Sequence, residues 1–319
     1  MKIVKVVAPA KVNLFLSVGE KQEDGYHQVV SVMHALGMHD TLTLIAYPEG
    51  TPQDLIPVKE QNRQEVSEGP LTVTGEVEWH EGLPEAELDL KDNIVAKAIF
   101  ALARACGFPW KGRLHFLLEK HIPLQAGLGG GSADAAAALV GVAEVFGIQD
   151  TDLLNRVACE LGADVPFFLM GGAVLLEGRG DTFARTLTAR HDNVVIVHVP
   201  GGVSTPEAYR EFDRDSQATP PADLAAAEAA RDAAEVPLYN NLAAASERLL
   251  PELTEVREWI AQQPGVQQVL LCGSGSATFA VCDNHRSALA LVTAASAKGY
   301  WTRATTFSRL RAAIVPEDR

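Results

Sequence analysis

The sequence lacks long hydrophobic runs, closely spaced cysteines and an excess of positive charge, and each absence excludes a class of protein. No apolar stretch reaches the roughly 18 residues that a membrane-spanning helix needs. The four cysteines show no Cys-x-x-Cys spacing and the nine histidines form no pair at helical spacing, so we expect reduced thiols and no metal site. The formal net charge of −14 argues against a nucleic-acid or membrane-surface partner.

The composition is that of an ordinary globular protein. Hydrophobic residues occupy 47% and charged residues 21% of the 319 positions, which is typical of folded soluble domains. The length suits about two domains. The first residues run straight into a strand-like segment rather than a signal peptide, so we expect a cytoplasmic protein.

The most informative stretch is Gln125–Asp134, which contains four glycines within five positions. Apolar alternation over Leu114–Leu118 predicts a strand before it, and Ser132 predicts the N-cap of a helix over Ala133–Val145. A strand, a glycine loop and a helix N-terminus together favour a phosphate ligand, because backbone N–H groups and the helix dipole both attract an anion. The alternative is a glycine turn that only packs the helix against a sheet.

Two common phosphate loops are excluded by what this stretch does not contain. No lysine stands between Gly131 and Ser132, so the Gly-Lys-Ser ending of a P-loop is absent. Ser132 also occupies the position of the third glycine in the dinucleotide-binding fingerprint. The stretch therefore predicts a phosphate site of another family.

Two further segments place charged groups in apolar surroundings. Lys11 and Asn13 lie two positions apart, on one face of a predicted strand, and a lysine that faces a core requires an anion. The alternative is a solvated lysine on an edge strand. Asp164 lies within the small and apolar run Gly162–Phe168, where it is either a helix cap or a buried functional base.

Two turns are candidates for direct ligand contact. Asp24–His27 presents a tyrosine beside a histidine, which suits a base because the ring can stack and the imidazole can form hydrogen bonds. The alternative is a surface turn with a partly buried tyrosine. Leu271–Ala277 is a second glycine turn between strand-like runs, which could close over phosphates or simply connect a hairpin.

Predicted helices and strands are mixed without strict alternation, which favours an α+β fold over a doubly wound α/β fold. Strands are predicted at Ile3–Ala8 and Val12–Val18, with a break at Pro9 between them. A capped helix is predicted over Ile94–Ala105. The polar, acidic and proline-containing segment Tyr47–Pro70 is predicted to be a long loop or insertion.

These segments, in this order, resemble the GHMP kinase superfamily over the whole chain. The pairing of Asp-Gly-Tyr-His with Gly-Ala-Asp-Val-Pro is similar, in particular, to the branch that phosphorylates a cytidyl diphosphate of methylerythritol. The late turn departs from the family pattern, since Leu271-Cys272 stands where a methionine-serine pair is usual. The matching segments are Ala8–Leu14, Asp24–His27, Pro123–Ala137, Gly162–Pro166 and Cys272–Gly275.

The resemblance implies a two-domain GHMP kinase fold of the α+β class. The N-terminal domain, over residues 1–187, would be ribosomal-protein-S5-like, and the C-terminal domain, over residues 188–319, would be ferredoxin-like, with the active site between them. ATP would be the co-substrate, accompanied by Mg²⁺. The partner would be a small molecule, the cytidyl diphosphate of methylerythritol, whose tertiary 2-hydroxyl receives the γ-phosphate in the non-mevalonate isoprenoid pathway.

The resemblance also implies residue roles. Asp164 would orient and deprotonate the acceptor hydroxyl, and Lys11 would keep Asp164 ionised and stabilise charge on the transferred phosphoryl group. The ATP-binding backbone amides would be those of Gly127, Leu128, Gly129, Gly130, Gly131 and Ser132, with the Ser132 hydroxyl near Mg²⁺. The acceptor-binding residues would be Asn13, Tyr26, His27, Thr205 and Tyr209. The two tyrosines would sandwich the cytosine, and His27 would read its edge.

Two other functions are open at this point. Another GHMP kinase, acting on mevalonate, homoserine or a sugar, would need no cytosine sandwich. A non-catalytic nucleotide-binding regulator on the same fold should lack the pair of Lys11 and Asp164, since fold alone does not fix function.

Overall fold

A computed structural model describes residues 1–23, 25–52, 55–57, 64–80, 82–83 and 89–316 of the chain. Asp24, in the turn predicted to contact a base, and positions 53–54 and 58–63 of the predicted insertion lie outside the described residues. The strands are β1 (Lys2–Lys21), β2 (His27–Pro48), β3 (Glu65–Glu68), β4 (Leu71–Trp79), β5 (Gly112–Lys120), β6 (Ala173–Glu177), β7 (Thr182–Leu187), β8 (Asn193–His198), β9 (Tyr239–Asn240), β10 (Val266–Leu271), β11 (Ala277–Cys282), β12 (Trp301–Thr306) and β13 (Ala313–Ile314). The helices are α1 (Ile94–Ala105), α2 (Gly130–Phe146), α3 (Thr151–Leu161), α4 (Val165–Met170), α5 (Thr205–Phe212), α6 (Pro221–Ala229), α7 (Ala243–Leu249), α8 (Glu252–Ala261) and α9 (His285–Ala297).

The first sheet is built mainly from the N-terminal half of the chain. Its main path runs β13-β1-β2-β5-β4-β3, with β6 and β7 joined through β2, and β9 paired with β1. The pairs are antiparallel apart from β4 with β5 and β1 with β9, which are parallel. Helices α1 to α4 pack on one face of this sheet through a single apolar cluster.

Helix α2 lies close to the sheet because its sequence is almost free of large side chains. Its alanines at positions 135–138 are fully buried. A Cβ atom on Gly141 would stand only 2.5 Å from a methyl carbon of Leu44 on β2, so this glycine sets the closest approach of helix and strand. The close packing fixes the N-terminus of α2, and the glycine loop before it, against β1 and β2.

The second sheet has the strand order β10-β11-β8-β12 and is antiparallel throughout. If these four strands are numbered by their order in the chain, they lie in the sheet as second, third, first and fourth. Helices follow the first and the third of them, which is the ferredoxin-like arrangement. One face packs on its own helices, α8 and α9 among them. The other face packs against the first sheet, through Val12 and Leu36 on one side and Ile196 and Phe279 on the other. The predicted α+β class with two domains is confirmed.

Several local predictions can be compared directly with these bounds. Helix α1 is confirmed residue for residue, and the Asn93 side chain caps it by accepting a hydrogen bond from the backbone N–H of Val95 at 2.8 Å. The predicted break at Pro9 is wrong, because β1 continues through it. The register with β2 shifts between Pro9 and Lys11, and a proline is tolerated where a ladder is irregular.

The prediction that residues 1–187 form one domain stays a prediction. Strand β8, the first of the second sheet, begins at Asn193.

No helix within the described ranges is long and apolar enough to cross a membrane.

Candidate active site

A cavity opens where the glycine loop, strand β1 and the late glycine turn meet. Its walls contain the whole segment from Pro123 to Ser132, together with Lys11 and Asp164. From the second half of the chain it receives Thr205, Tyr209 and other residues. Most of the predicted site residues therefore surround one space: Lys11, Asn13, Gly127, Leu128, Gly129, Gly130, Gly131, Ser132, Asp164, Thr205 and Tyr209.

The glycine loop ends one turn earlier than the sequence predicts. Helix α2 begins at Gly130, and its N-cap is Gly129 in the left-handed region with φ of +72°. The prediction of Ser132 as N-cap is wrong, since Ser132 lies inside the first helical turn. A Cβ atom on Gly129 would stand 2.6 Å from Phe168 and 2.9 Å from the Cγ atom of Lys11. Glycine is needed there for both its backbone conformation and its lack of a side chain.

The two glycine segments touch each other. A Cβ atom on Gly127 would overlap the carbonyl oxygen of Cys272 in the late turn. Backbone N–H groups of Ser276 and Ala277 donate to the carbonyls of Gln125 and Ala126, at 3.1 and 3.2 Å. The late turn connects the hairpin β10–β11, and its residues 273 and 274 also line the cavity. The late turn therefore connects a hairpin, which is one of the two interpretations that the sequence left open, and that it closes over phosphates stays a prediction.

Lys11 is buried and turned toward the cavity, and it is not a solvated edge lysine. Its side chain is only 6% exposed, and its Nζ atom stands 3.3 Å from the Oδ2 atom of Asp164. The same ammonium donates to the Oδ1 atom of Asn13 at 2.8 Å, and the Asn13 amide donates to the hydroxyl of Ser31 at 2.8 Å. A chain of polar contacts thus holds Lys11 in one orientation.

Asp164 occupies the N-cap position of the short helix α4, but its side chain makes no capping hydrogen bond. The carboxylate is 31% exposed, so it can reach a ligand in the cavity. Its ion-pair contact is with Lys11. The sequence allowed two interpretations of Asp164, and its side chain does not act as a helix cap, which was one of them.

The predicted base-binding residues form a second group beside the cavity. Tyr209 lines it, and its ring centroid is 5.2 Å from that of His27. His27 is 8% exposed, and its Nε2 atom is 2.7 Å from the Oδ1 atom of Asp213. Burial, with the charge of Asp164 adding to it, raises the pKa of Tyr209 to about 12, so the phenol stays neutral. Neither Tyr26 nor His27 is among the residues that line the cavity.

Tyr26 contacts Arg179, a residue that the sequence did not suggest for the site. The guanidinium carbon of Arg179 stands 4.0 Å from the centre of the Tyr26 ring, and Arg179 itself lines the cavity. Arg179 is placed by the turn between β6 and β7. Its only sequence signal is a position between two glycines, Gly178 and Gly180.

A charged cluster that the sequence did not suggest lies beneath the glycine loop. Asp40, Lys120 and Asp134 come from β2, β5 and α2, and each is at least 96% buried as a side chain. The weak signal for two of them was their position, because Lys120 ends an apolar strand and Asp134 opens an alanine-rich helix. Asp40 is far from both in the sequence.

Comparisons with known proteins identify the family of this chain. Residues 93–172 match the family model described as GHMP kinases N terminal domain, and residues 223–300 match that described as GHMP kinases C terminal. A 4-diphosphocytidyl-2-C-methyl-D-erythritol kinase from Nocardioides sp. is 36% identical over 92% of this chain and 93% of its own. The chain therefore belongs to the GHMP kinases and, within them, to the 4-diphosphocytidyl-2-C-methyl-D-erythritol kinase family.

Among solved structures, one is similar to this chain in both sequence and fold, and another is similar in fold alone. The crystal structure of a 4-(cytidine 5'-diphospho)-2C-methyl-D-erythritol kinase is 31% identical, with a TM-score of 0.70 over 95% of this chain and 99% of the other. A mevalonate kinase from L. major, solved with R-mevalonate, has a TM-score of 0.67 over 97% of both chains but is only 16% identical. The second likeness shows the shared fold alone.

Proposed function

We propose that the protein transfers the γ-phosphate of ATP to the 2-hydroxyl of 4-diphosphocytidyl-2-C-methyl-D-erythritol, a step of the non-mevalonate route to isoprenoid precursors. The observation that carries the proposal is a single cavity lined by the glycine loop, the pair of Lys11 and Asp164, and Tyr209. The Nocardioides relative, which is similar along more than nine tenths of both chains, is named for activity on the same acceptor and so supports the proposal.

The phosphates of ATP would lie along the segment from Gly127 to Ser132. The N-terminus of α2 points its first backbone N–H groups out of the helix without intrahelical partners, and the helix dipole adds positive potential there. An anion is favoured at this point although the whole chain carries a net charge of −14, because the amides act at contact distance.

Asp164 would accept the proton of the acceptor hydroxyl as the oxygen attacks the γ-phosphorus. Lys11 stands 3.3 Å away and would stabilise the negative charge that develops on the phosphoryl oxygens. Phosphoryl transfer depends on alignment and charge stabilisation more than on covalent help from the protein. One base and one buried ammonium beside the phosphate loop meet those needs.

The cytidyl group of the acceptor would occupy the side of the cavity that contains Tyr209 and Thr205. Tyr26 contacts Arg179 and His27 contacts Tyr209, and both of these partners line the cavity. Asn13 would orient the acceptor, although both ends of its amide already bond to protein groups. A mevalonate or homoserine kinase would not need this group of aromatic residues, because its acceptor contains no cytosine.

Magnesium would enter with ATP. Within the described ranges, no group of three or more His, Cys, Asp or Glu side chains could hold a metal ion. Mg²⁺ bound to a nucleotide takes phosphate oxygens, waters and only one or two protein oxygens. Ser132 and Asp164 line the cavity and carry oxygen donors of that kind, and the ion would neutralise charge on the phosphates.

A coupled assay of ADP production across alcohol acceptors tests the proposal. We expect turnover with the cytidyl diphosphate of methylerythritol that requires ATP and Mg²⁺, and little turnover with mevalonate, homoserine or a sugar. The control is methylerythritol phosphate, which carries the hydroxyl without the cytidyl group. Equal turnover of mevalonate or homoserine would contradict the assignment, and absence of turnover with every acceptor would favour a nucleotide-binding regulator.

The Tyr26→Ala variant should weaken binding of the acceptor by about 1–3 kcal/mol, the usual loss for one base–aromatic stack. ATP affinity should stay nearly unchanged, because the proposed ATP contacts are backbone amides of the glycine loop and Tyr26 is not among the residues that line the cavity with that loop. Isothermal titration calorimetry with each ligand separates the two effects. Tyr26→Phe keeps the ring and serves as the control. Weakened ATP binding in Tyr26→Ala would place this ring on the nucleotide side instead.

A further inference from the structure

The charged cluster of Asp40, Lys120 and Asp134 lies directly beneath the start of α2. The Lys120 Nζ atom contacts the Oδ2 atom of Asp40 and stands 2.7 Å from the Oδ2 atom of Asp134. A Cβ atom on Gly130 would be 3.3 Å from the same ammonium. The cluster therefore reaches the first residue of the helix whose N-terminus faces the cavity.

Such a cluster is costly to bury, and stability alone is a weak reason to have one. Desolvation opposes the charge of Lys120, but Asp134 and Asp40 outweigh it and raise the pKa of the ammonium. Replacing buried ion groups by apolar side chains of similar size is often neutral or stabilising. The role of the cluster is therefore better inferred from the segments that it holds in place than from the energy of its ion pairs.

The cluster holds both ends of the glycine loop. The Oδ1 atom of Asp40 accepts the backbone N–H groups of His121 and Ile122, at 2.5 and 2.8 Å, where the chain leaves β5. Lys120 links this end to Asp134, which belongs to α2. The segment between these two anchors also contacts β1, since the carbonyl of Leu128 accepts the backbone N–H of Lys11 at 2.9 Å.

We propose that Asp40, Lys120 and Asp134 are positioning residues, which fix the two ends of the glycine loop so that its amides are arranged for a nucleotide phosphate. The inference rests on the proposed function for the identity of the nucleotide. It does not depend on which alcohol is phosphorylated. The three residues act through the loop, because none of them lines the cavity.

The link between α2 and the two strands passes through Lys120. The Oδ2 atom of Asp134 is held by this ammonium, and the Oδ1 atom is buried without a hydrogen-bond partner. Because Asp40 contacts the same ammonium, loss of Lys120 should release the start of α2 from β2 and β5.

The test measures the dissociation constant of ADP, with magnesium present, by calorimetry at pH 7.5. We expect Lys120→Met to weaken ADP binding at least tenfold, while the acceptor affinity changes less than threefold. Asp134→Ala removes the group that Lys120 holds on α2, so it should weaken ADP binding in the same way. Asp134→Asn keeps an oxygen that can accept from Lys120 and should bind ADP nearly as well as wild type.

The matched control is Lys2→Met, because Lys2 forms an ion pair with Glu144 at the other end of α2, at 2.7 Å and exposed to solvent. It should leave ADP binding unchanged. A folded Lys120→Met protein with wild-type ADP affinity would overturn the proposal. If Lys120→Met does not fold, Asp134→Ala decides, and a folded Asp134→Ala protein with wild-type ADP affinity would overturn it. Failure of the acceptor assay with intact ADP binding would contradict the proposed function and leave this inference standing.

Discussion

Replacing Asp164 by asparagine is expected to lower kcat by roughly 10²–10⁴-fold, the contribution of a positioned general base. Asparagine keeps the shape and hydrogen-bonding reach of the side chain but cannot take up the acceptor's proton. The KM for ATP should change little, because the proposed phosphate contacts are backbone amides of the glycine loop and the Asp164 side chain makes no bond that holds α4. Steady-state kinetics with varied ATP and varied acceptor separate these effects.

Asp150→Ala provides the control for this variant. The Asp150 side chain does cap a helix, since it accepts the backbone N–H of Leu153 at 2.9 Å at the start of α3. Its loss should lower the free energy of unfolding by about 1 kcal/mol and leave kcat unchanged. The opposite pattern is expected for Asp164→Asn. A near-normal kcat in that variant would mean that the hydroxyl loses its proton without this base.

Lys11→Met should reduce kcat by a similar factor, because it removes the ammonium that stands 3.3 Å from Asp164 and beside the glycine loop. Methionine keeps most of the buried aliphatic volume of the side chain. Lys5→Met is the control, since Lys5 lies on the same strand but is half exposed and pairs with Glu119 on the surface. That control should retain the activity of the wild type.

The double variant of Lys11→Met with Asp164→Asn tests whether the two groups act as a unit. Residues that act together show losses far from additive. We therefore expect the double variant to be little slower than either single variant in a double-mutant cycle of kcat. Multiplied losses would show instead that each group contributes to the reaction on its own.

The parts of this molecule that sequence predicts well are those set by neighbouring residues. Helix α1 follows from an asparagine cap and an apolar stripe, which are local signals. The glycine loop and its position between β5 and α2 are also local, whereas the apolar strand around Lys11 left open whether that lysine is buried. A resemblance carried by five short segments then supplied the two-domain architecture.

The parts that sequence missed depend on contacts between distant residues. Asp40 and Lys120 are 80 positions apart, so no spacing rule could pair them. Ser132 was a reasonable cap by residue type, but glycine in the left-handed region starts α2 earlier, at a point where Lys120 lies under the helix. Arg179 reaches Tyr26 only because β6 pairs with β2, which brings the β6–β7 turn beside the start of β2.

The pairing of β1 has a consequence for how the chain can be divided. One edge of this strand is completed by β13, at Val6 and Val7, and by β9, at Phe15 and Leu16, and both partners come from the C-terminal half of the sequence. A fragment that stopped between β7 and β8 would leave these backbone donors and acceptors open, and an open edge strand is a template for aggregation. The two halves are consequently poor candidates for separate expression or for a split-protein reporter, and they should melt as one cooperative unit.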